Sequence, residues 1–142
     1  MDLKLHVKNS GTISFQAFDK GSQGLLIIAE TGKHIPFDIK RVYYITNTDE
    51  RESARGMHAH KKTDQVIFCL KGSFLLALDD GERTQEVVMD NPAIGIRLGP
   101  KLWHSMSKFS PDCVIAVCAD RHYDEDDYIR NYGEFLAHIQ QQ

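Results

Sequence analysis

Short β-like segments, each closed by a turn signal, recur along most of the chain and point to an all-β fold. They cover residues 11–15, 24–29, 41–46, 65–70, 73–78, 86–89, 94–98 and 113–119. The segment RVYYIT at 41–46 is rich in β-branched and aromatic side chains, which suit a pleated, half-buried surface. Lys71-Gly72 separates two of the segments. Asp79-Asp80-Gly81 is a hairpin signal, because Asp-Gly tolerates the positive φ that tight turns need. This regular spacing predicts a sandwich or a small barrel. The most polar stretch, TNTDERESA at 46–54, reads as a loop between strands, since both flanks are β-like.

The period changes near the C-terminus. Tyr128, Ile129, Tyr132, Phe135, Leu136 and Ile139 recur at helical spacing, which predicts one terminal helix over about 124–140. The acidic run Asp124–Asp127 would lie at its start, where the helix macrodipole favours negative charge.

A chain of 142 residues, 42% apolar and 26% charged, suits one domain with a self-sufficient core. A net charge of −3 argues against a nucleic-acid binder that works by neutralising phosphates. No apolar run approaches the roughly 20 residues needed to span a bilayer, and the N-terminal MDLKLHVKNS lacks the apolar stretch of a secretory signal. Cys69, Cys113 and Cys118 are odd in number, form no CxxC pair and sit in apolar runs. They read as buried free thiols, which points to a cytoplasmic protein. No Walker A, GxGxxG or GxSxG sequence is present, so no P-loop, dinucleotide or serine-hydrolase site is supported.

Four of the seven histidines, His6, His34, His122 and His138, are scattered and read as surface or structural. His58-Ala59-His60 is different, because residues i and i+2 of a strand project from one face. Two imidazoles on one face can bind a metal or work as an acid–base pair. Gln65 and Gly72 follow at fixed distances, and Gly99-Pro100 precedes His104. This order resembles the two motifs of the cupin superfamily, with Gln65 standing where the first motif has Glu. A neutral amide cannot offset divalent charge and is a poorer ligand than a carboxylate, which demotes a metal.

A closer resemblance spans nearly the whole chain. IPFDIKRVYYI at 35–45, RGMHAHKK at 55–62, Gln65-Val66, LGPKLWH at 98–104 and YDEDDYIR at 123–130 together resemble the sugar-nucleotide 3,4-ketoisomerase family. The resemblance implies a cupin jelly roll that acts on dTDP-4-keto-6-deoxyglucose without metal or other cofactor. It also implies a homodimer with exchanged N-terminal strands, serving deoxyamino-sugar synthesis.

Moving a ketone to its neighbour needs a base for the proton at C3, stabilisation of an enediolate and proton delivery to C4. His58 is assigned here as the base and His60 as the partner that relays protons. Arg41 and Tyr43 share strand parity, opposite to Val42 and Tyr44. An interior Arg needs an anionic partner, and pyrophosphate matches a guanidinium bidentately. Arg41 and Arg55 are therefore the phosphate candidates, with Lys62 a third. Tyr43 is a candidate to hydrogen-bond the sugar or supply a proton. Trp103 is either a pocket wall that stacks on thymine or core packing, and His104 lines the pocket near the sugar. Three alternatives stay open: a 3,5-epimerase on the same substrate, a metal-dependent cupin, and a non-catalytic sugar-nucleotide-binding module.

Overall fold

The structure, a computed structural model, describes residues 3–49 and 54–141. The strands come in chain order, β1 (Ser10–Ser14), β2 (Gln16–Asp19), β3 (Leu25–Ile28) and β4 (Arg41–Ile45) first. There follow β5 (Ala54–His60), β6 (Gln65–Lys71), β7 (Phe74–Asp79) and β8 (Thr84–Met89). β9 (Ile94–Leu98), β10 (Trp103–Ser107), β11 (Val114–Ala119), β12 (Tyr128–Ile129) and one helix, α1 (Tyr132–Ile139), complete the chain.

Two antiparallel five-stranded sheets carry the body, in the orders β1-β9-β6-β11-β4 and β12-β5-β10-β7-β8. β2 and β3 form a separate hairpin. The expected cupin-type jelly roll with a C-terminal helix is the fold observed. Period-2 alternation sends Phe74, Leu76 and Leu78 of β7 between the sheets, against Ile67, Ile96, Leu98, Ile115 and Val117. Burying such side chains stabilises by roughly 1.5–3 kcal/mol each before entropy is counted. Gly72, at φ +73°, follows β6 where a Cβ would collide with Ser110 Oγ, so the position is both sterically and conformationally a glycine position. Asp79-Asp80-Gly81 does form the β7–β8 turn, with the Asp80 carboxylate accepting from the backbone of Glu82 and Arg83.

The helix is shorter than the periodicity predicts. It starts at Tyr132, because Asn131 caps it by accepting the Glu134 N–H at 3.0 Å. The acidic run instead forms a 3-10 turn, Glu125–Asp127, and Tyr128–Ile129 extends as an edge strand on β5. Tertiary bonds to Asp127, described below, outweigh the local helical preference. α1 covers the outer face of the second sheet, where Phe135 packs with Ala59, Trp103 and Ile129. Of the predicted loop over 46–54, residues 50–53 lie outside the described residues. Cys69, Cys113 and Cys118 are free and buried, as their apolar context predicts. Among the described residues no helix is long and apolar enough to cross a membrane.

Candidate active site

β5 delivers His58 and His60 to the space between the sheets, while Ala59 between them packs towards α1. His104 of β10 pairs directly opposite His58. The turn before β10 is tied to β5, since the Lys101 N–H donates to the His60 carbonyl at 2.7 Å. The rings of His58 and His60 lie 4.9 Å apart between centroids, and those of His58 and His104 4.7 Å. One ring nitrogen of each histidine lies within 4.8 Å of the others.

Burial dominates the electrostatics. Desolvation, then the neighbouring His60, pushes the His58 pKa down to about 3. Desolvation also lowers His60, although a hydrogen bond to Asp127 opposes it. His104 is pushed well below its ordinary value, by burial and then by the other two imidazoles. All three are therefore neutral at pH 7, each with a lone pair to offer. Among the described residues, Nε2 of His58, Nε2 of His60 and Nδ1 of His104 are buried without a hydrogen-bond partner. Unpaired buried polar atoms are uncommon, and a cluster of them is what a polar substrate would satisfy.

Behind His60 stands Asp127. Its Oδ2 lies 3.0 Å from His60 Nδ1 and accepts from the Thr63 N–H at 3.3 Å and from the Thr63 hydroxyl. Its Oδ1 accepts from the Lys62 N–H at 2.7 Å. Burial acts to raise the Asp127 pKa, but these hydrogen bonds outweigh it and hold the carboxyl below its usual range. Tyr128, the next residue, lays its ring 4.4 Å from that of His60 and 5.0 Å from that of His58. The Arg130 guanidinium sits 4.3 Å over that ring, and Arg130 is itself paired to Glu125 by two bonds of 3.0 Å.

Arg41 and Tyr43 do face inward, while Val42 and Tyr44 are exposed. The Arg41 guanidinium carbon lies 5.2 Å from the Tyr43 ring centre and 5.9 Å from that of Tyr123, and its Nε is buried without a partner among the described residues. The Tyr43 hydroxyl accepts from Gln65 Nε2 at 2.8 Å, and burial pushes the phenol pKa up to about 12. Arg55, though exposed, is turned to the side of His58 by an irregularity that simple parity misses. His58 pairs with His104 and Arg55 with Met106, so three steps along β5 match two along β10. This one-residue bulge contains Gly56 at φ +66°. The Arg55 charge acts on the Tyr43 phenol.

Two expected site residues do not reach the imidazole cluster with their side chains. Trp103 belongs to the outer face of β10, buried against Phe135 and Tyr132, because its parity is opposite to that of His104; it is core packing, not a wall for thymine. The exposed Lys62 side chain lines a surface cavity of about 510 Å³ that adjoins the site through Tyr123 and Asp127 and also carries Lys40 and Arg121, and the Lys62 backbone meets the site by donating to Asp127. Sequence reasoning does not single out Asp127 and Tyr128. The signal is present in the YDEDDYIR segment, where the Asn131 cap places residues 124–130 ahead of the helix.

The three neutral imidazoles are spaced to ligate one cation between them. The carboxylates and amides that could complete such a set are engaged elsewhere: Asp127 serves four donors already, and the Gln65 amide is turned to Tyr43. A cupin barrel lined by uncharged imidazoles, a tyrosine and two arginines defines an acid–base site.

The comparisons agree with this class. The family model FdtA, described as WxcM-like, C-terminal, matches residues 8–140. A TDP-4-oxo-6-deoxy-alpha-D-glucose-3,4-oxoisomerase of Aneurinibacillus thermoaerophilus is 52% identical over 118 residues, 83% of this chain and 84% of the relative. The sugar 3,4-ketoisomerase QdtA of Thermoanaerobacterium thermosaccharolyticum, solved in complex with TDP, superposes with a TM-score of 0.90 at 39% identity, over 94% of this chain and 96% of that one. WlaRB, a TDP-quinovose 3,4-ketoisomerase of Campylobacter jejuni, gives 0.86 at 40% identity, over 92% and 99%. The chain belongs to the sugar-nucleotide 3,4-ketoisomerase family within the cupin superfamily.

Proposed function

We propose that this protein is an isomerase that moves the ketone of a TDP-linked 4-keto-6-deoxy-hexose from C4 to C3. The observation that carries the reading is the cluster of neutral, unpaired imidazoles on β5 and β10, in a chain 52% identical to a TDP-sugar 3,4-oxoisomerase.

The chemistry follows from the geometry. His58 removes the proton at C3, and the C–H electron pair forms the C3=C4 double bond while the C4 oxygen takes a proton. The reverse sequence, with a proton returned to C4 and one lost from the C3 oxygen, leaves the ketone at C3. Burial keeps the His58 imidazole neutral and able to accept that proton, and His60, beside it on β5, relays protons between the oxygens or to C4. His60 has Asp127 to stabilise the imidazolium that forms. The Tyr43 oxygen already accepts from Gln65, so its own proton is free to bind a sugar oxygen, and its raised pKa keeps that proton in place. Arg41 and Arg55 are the pyrophosphate grips, and His104 lines the sugar pocket. No step needs a redox cofactor, because the reaction moves no net electrons.

The reading includes a homodimer with exchanged N-terminal strands. Support comes from the β2–β3 hairpin, whose Phe18, Leu25 and Leu26 are exposed, and from β4, an edge strand with Val42 and Tyr44 59% and 72% exposed. Apolar edges of this kind need a partner. It also includes a cytoplasmic setting, in keeping with three free thiols, and a place in deoxyamino-sugar synthesis. The test is to incubate the purified protein with dTDP-4-keto-6-deoxyglucose and locate the ketone by NMR. A 3-keto product supports the reading, and a C3 or C5 epimer with its ketone still at C4 rejects it in favour of an epimerase.

A further inference from the structure

β12 brings a third ring to the paired histidines of β5. In its register Tyr128 lies directly opposite His60, and cross-strand neighbours on one face meet through their side chains. The phenol ring is tilted by 58° to the His60 ring at 4.4 Å between centroids, and by 56° to the His58 ring at 5.0 Å. A separation of 4.4 Å is too short for an approach past the edge of the phenol. The His60 imidazole therefore lies over the ring, where the π electrons favour a positive charge.

The backbone of this edge strand is held independently of the Tyr128 side chain. The Lys61 N–H donates to the Asp127 carbonyl at 2.9 Å, and the Lys62 N–H donates to the Asp127 carboxylate at 2.7 Å. The ring is held by its neighbours. The Arg130 guanidinium stacks 4.3 Å from the ring centre, and Glu125 fixes that guanidinium with two bonds of 3.0 Å. Glu125 also offsets the cation: behind desolvation and His60, Arg130 acts to lower the His58 pKa and Glu125 acts to raise it. Both imidazoles start neutral and must take up a proton in a buried place, where a bare charge is costly.

We propose that Tyr128 is a positioning residue for the isomerisation: its aromatic ring holds the His58 and His60 imidazoles and stabilises whichever of them carries the proton during turnover. The inference rests on the reading of the protein as a ketoisomerase, but the placement of the ring can be read without turnover. The ring and not the hydroxyl carries the effect, so phenylalanine can stand in for tyrosine here and an aliphatic residue cannot.

The test compares two variants. Tyr128→Phe should keep kcat within threefold of wild type. Tyr128→Leu should lower kcat about tenfold or more, as loss of a desolvated cation–π contact would, with KM and TDP affinity within severalfold of wild type. A kcat for Tyr128→Leu within threefold of wild type overturns the proposal, and so does a Tyr128→Phe variant as slow as Tyr128→Leu, which would assign the effect to the hydroxyl. Proton NMR of the free protein gives the second readout, with the histidine signals assigned by their loss in His58→Asn and His60→Asn. The ring current of the phenol should shift the His58 and His60 ring protons upfield in wild type and in Tyr128→Phe, and the shift should be lost in Tyr128→Leu. Unshifted signals in the wild type overturn the proposal, whatever the enzyme's substrate. If Tyr128→Leu does not fold, the wild-type spectrum and the Tyr128→Phe kinetics decide. A wild type that shows the expected shifts but leaves the ketone at C4 sinks the ketoisomerase reading and not the placement of the ring.

Discussion

The Gln65 amide donates to the Tyr43 hydroxyl across 2.8 Å, joining the start of β6 to the middle of β4. Cupins that bind metals place a carboxylate where Gln65 stands. Here the same position keeps the Tyr43 proton free for a ligand. Gln65→Glu would bury a charge and turn Tyr43 into its donor, so kcat should fall about tenfold or more. The wild type should keep full activity after exhaustive dialysis against EDTA. Loss of activity on chelation, with recovery on adding one particular metal, would contradict a metal-free site.

Gly56 is the second point of leverage. It holds φ +66° in the β5 bulge, and a Cβ there would lie 2.5 Å from Met106 Cε. Gly56→Ala should destabilise the fold by about 1–3 kcal/mol, the sum of left-handed strain and a forced shift of a flexible side chain. Because the bulge sets the face of Arg55, the same variant should raise KM for the TDP-sugar. Urea unfolding and steady-state kinetics check both, and an unchanged midpoint with an unchanged KM would show that the bulge is dispensable.

Acid should unfold this protein through its site. His58 titrates near 3 in the folded protein against about 6.5 when unfolded, and His60 and His104 are displaced in the same direction. Between pH 6.5 and about 3 the unfolded chain therefore binds more protons, so stability is complete above pH 6.5 and falls as the pH drops. The limiting slope is about 1.4 kcal/mol per pH unit for each such histidine. The urea midpoint should be level from pH 7 to 8 and decline steadily below 6.5. Equal midpoints at pH 7.5 and pH 5 would mean that the imidazoles are not buried in their neutral form.

The exposed hairpin gives the test of assembly. Phe18→Ser combined with Leu26→Ser removes apolar side chains from the paired strands β2 and β3 without touching the imidazole cluster. Sedimentation should show a dimer for the wild type at micromolar concentration and a shift to monomer for the variant. A monomeric wild type would contradict strand exchange.

Much of the fold is legible in the chain itself. Period-2 patterning and turn residues locate most of the strands, and the HxH spacing alone puts His58 and His60 on one face. Where sequence and structure part, the reasons are definable. The expected helix begins about eight residues too early because the acidic run has a helical local preference that Asp127 gives up for tertiary bonds to Lys62, Thr63 and His60. Arg55 differs from His58 in simple parity, and only the bulge at Gly56 reconciles them. Trp103 lies next to His104 in sequence, yet neighbours on a strand face opposite ways. Asp127 reads locally as helix-start charge, and its role depends on a contact 67 residues away that no local pattern encodes.

The central claim is that the ketone moves through proton transfers at C3 and C4. It is tested most directly by running the wild-type reaction on dTDP-4-keto-6-deoxyglucose in D2O and reading the proton NMR spectrum of the product. The account predicts a 3-keto sugar with deuterium at C4 and none at C5. Deuterium at C5, in a sugar that keeps its ketone at C4, would contradict it.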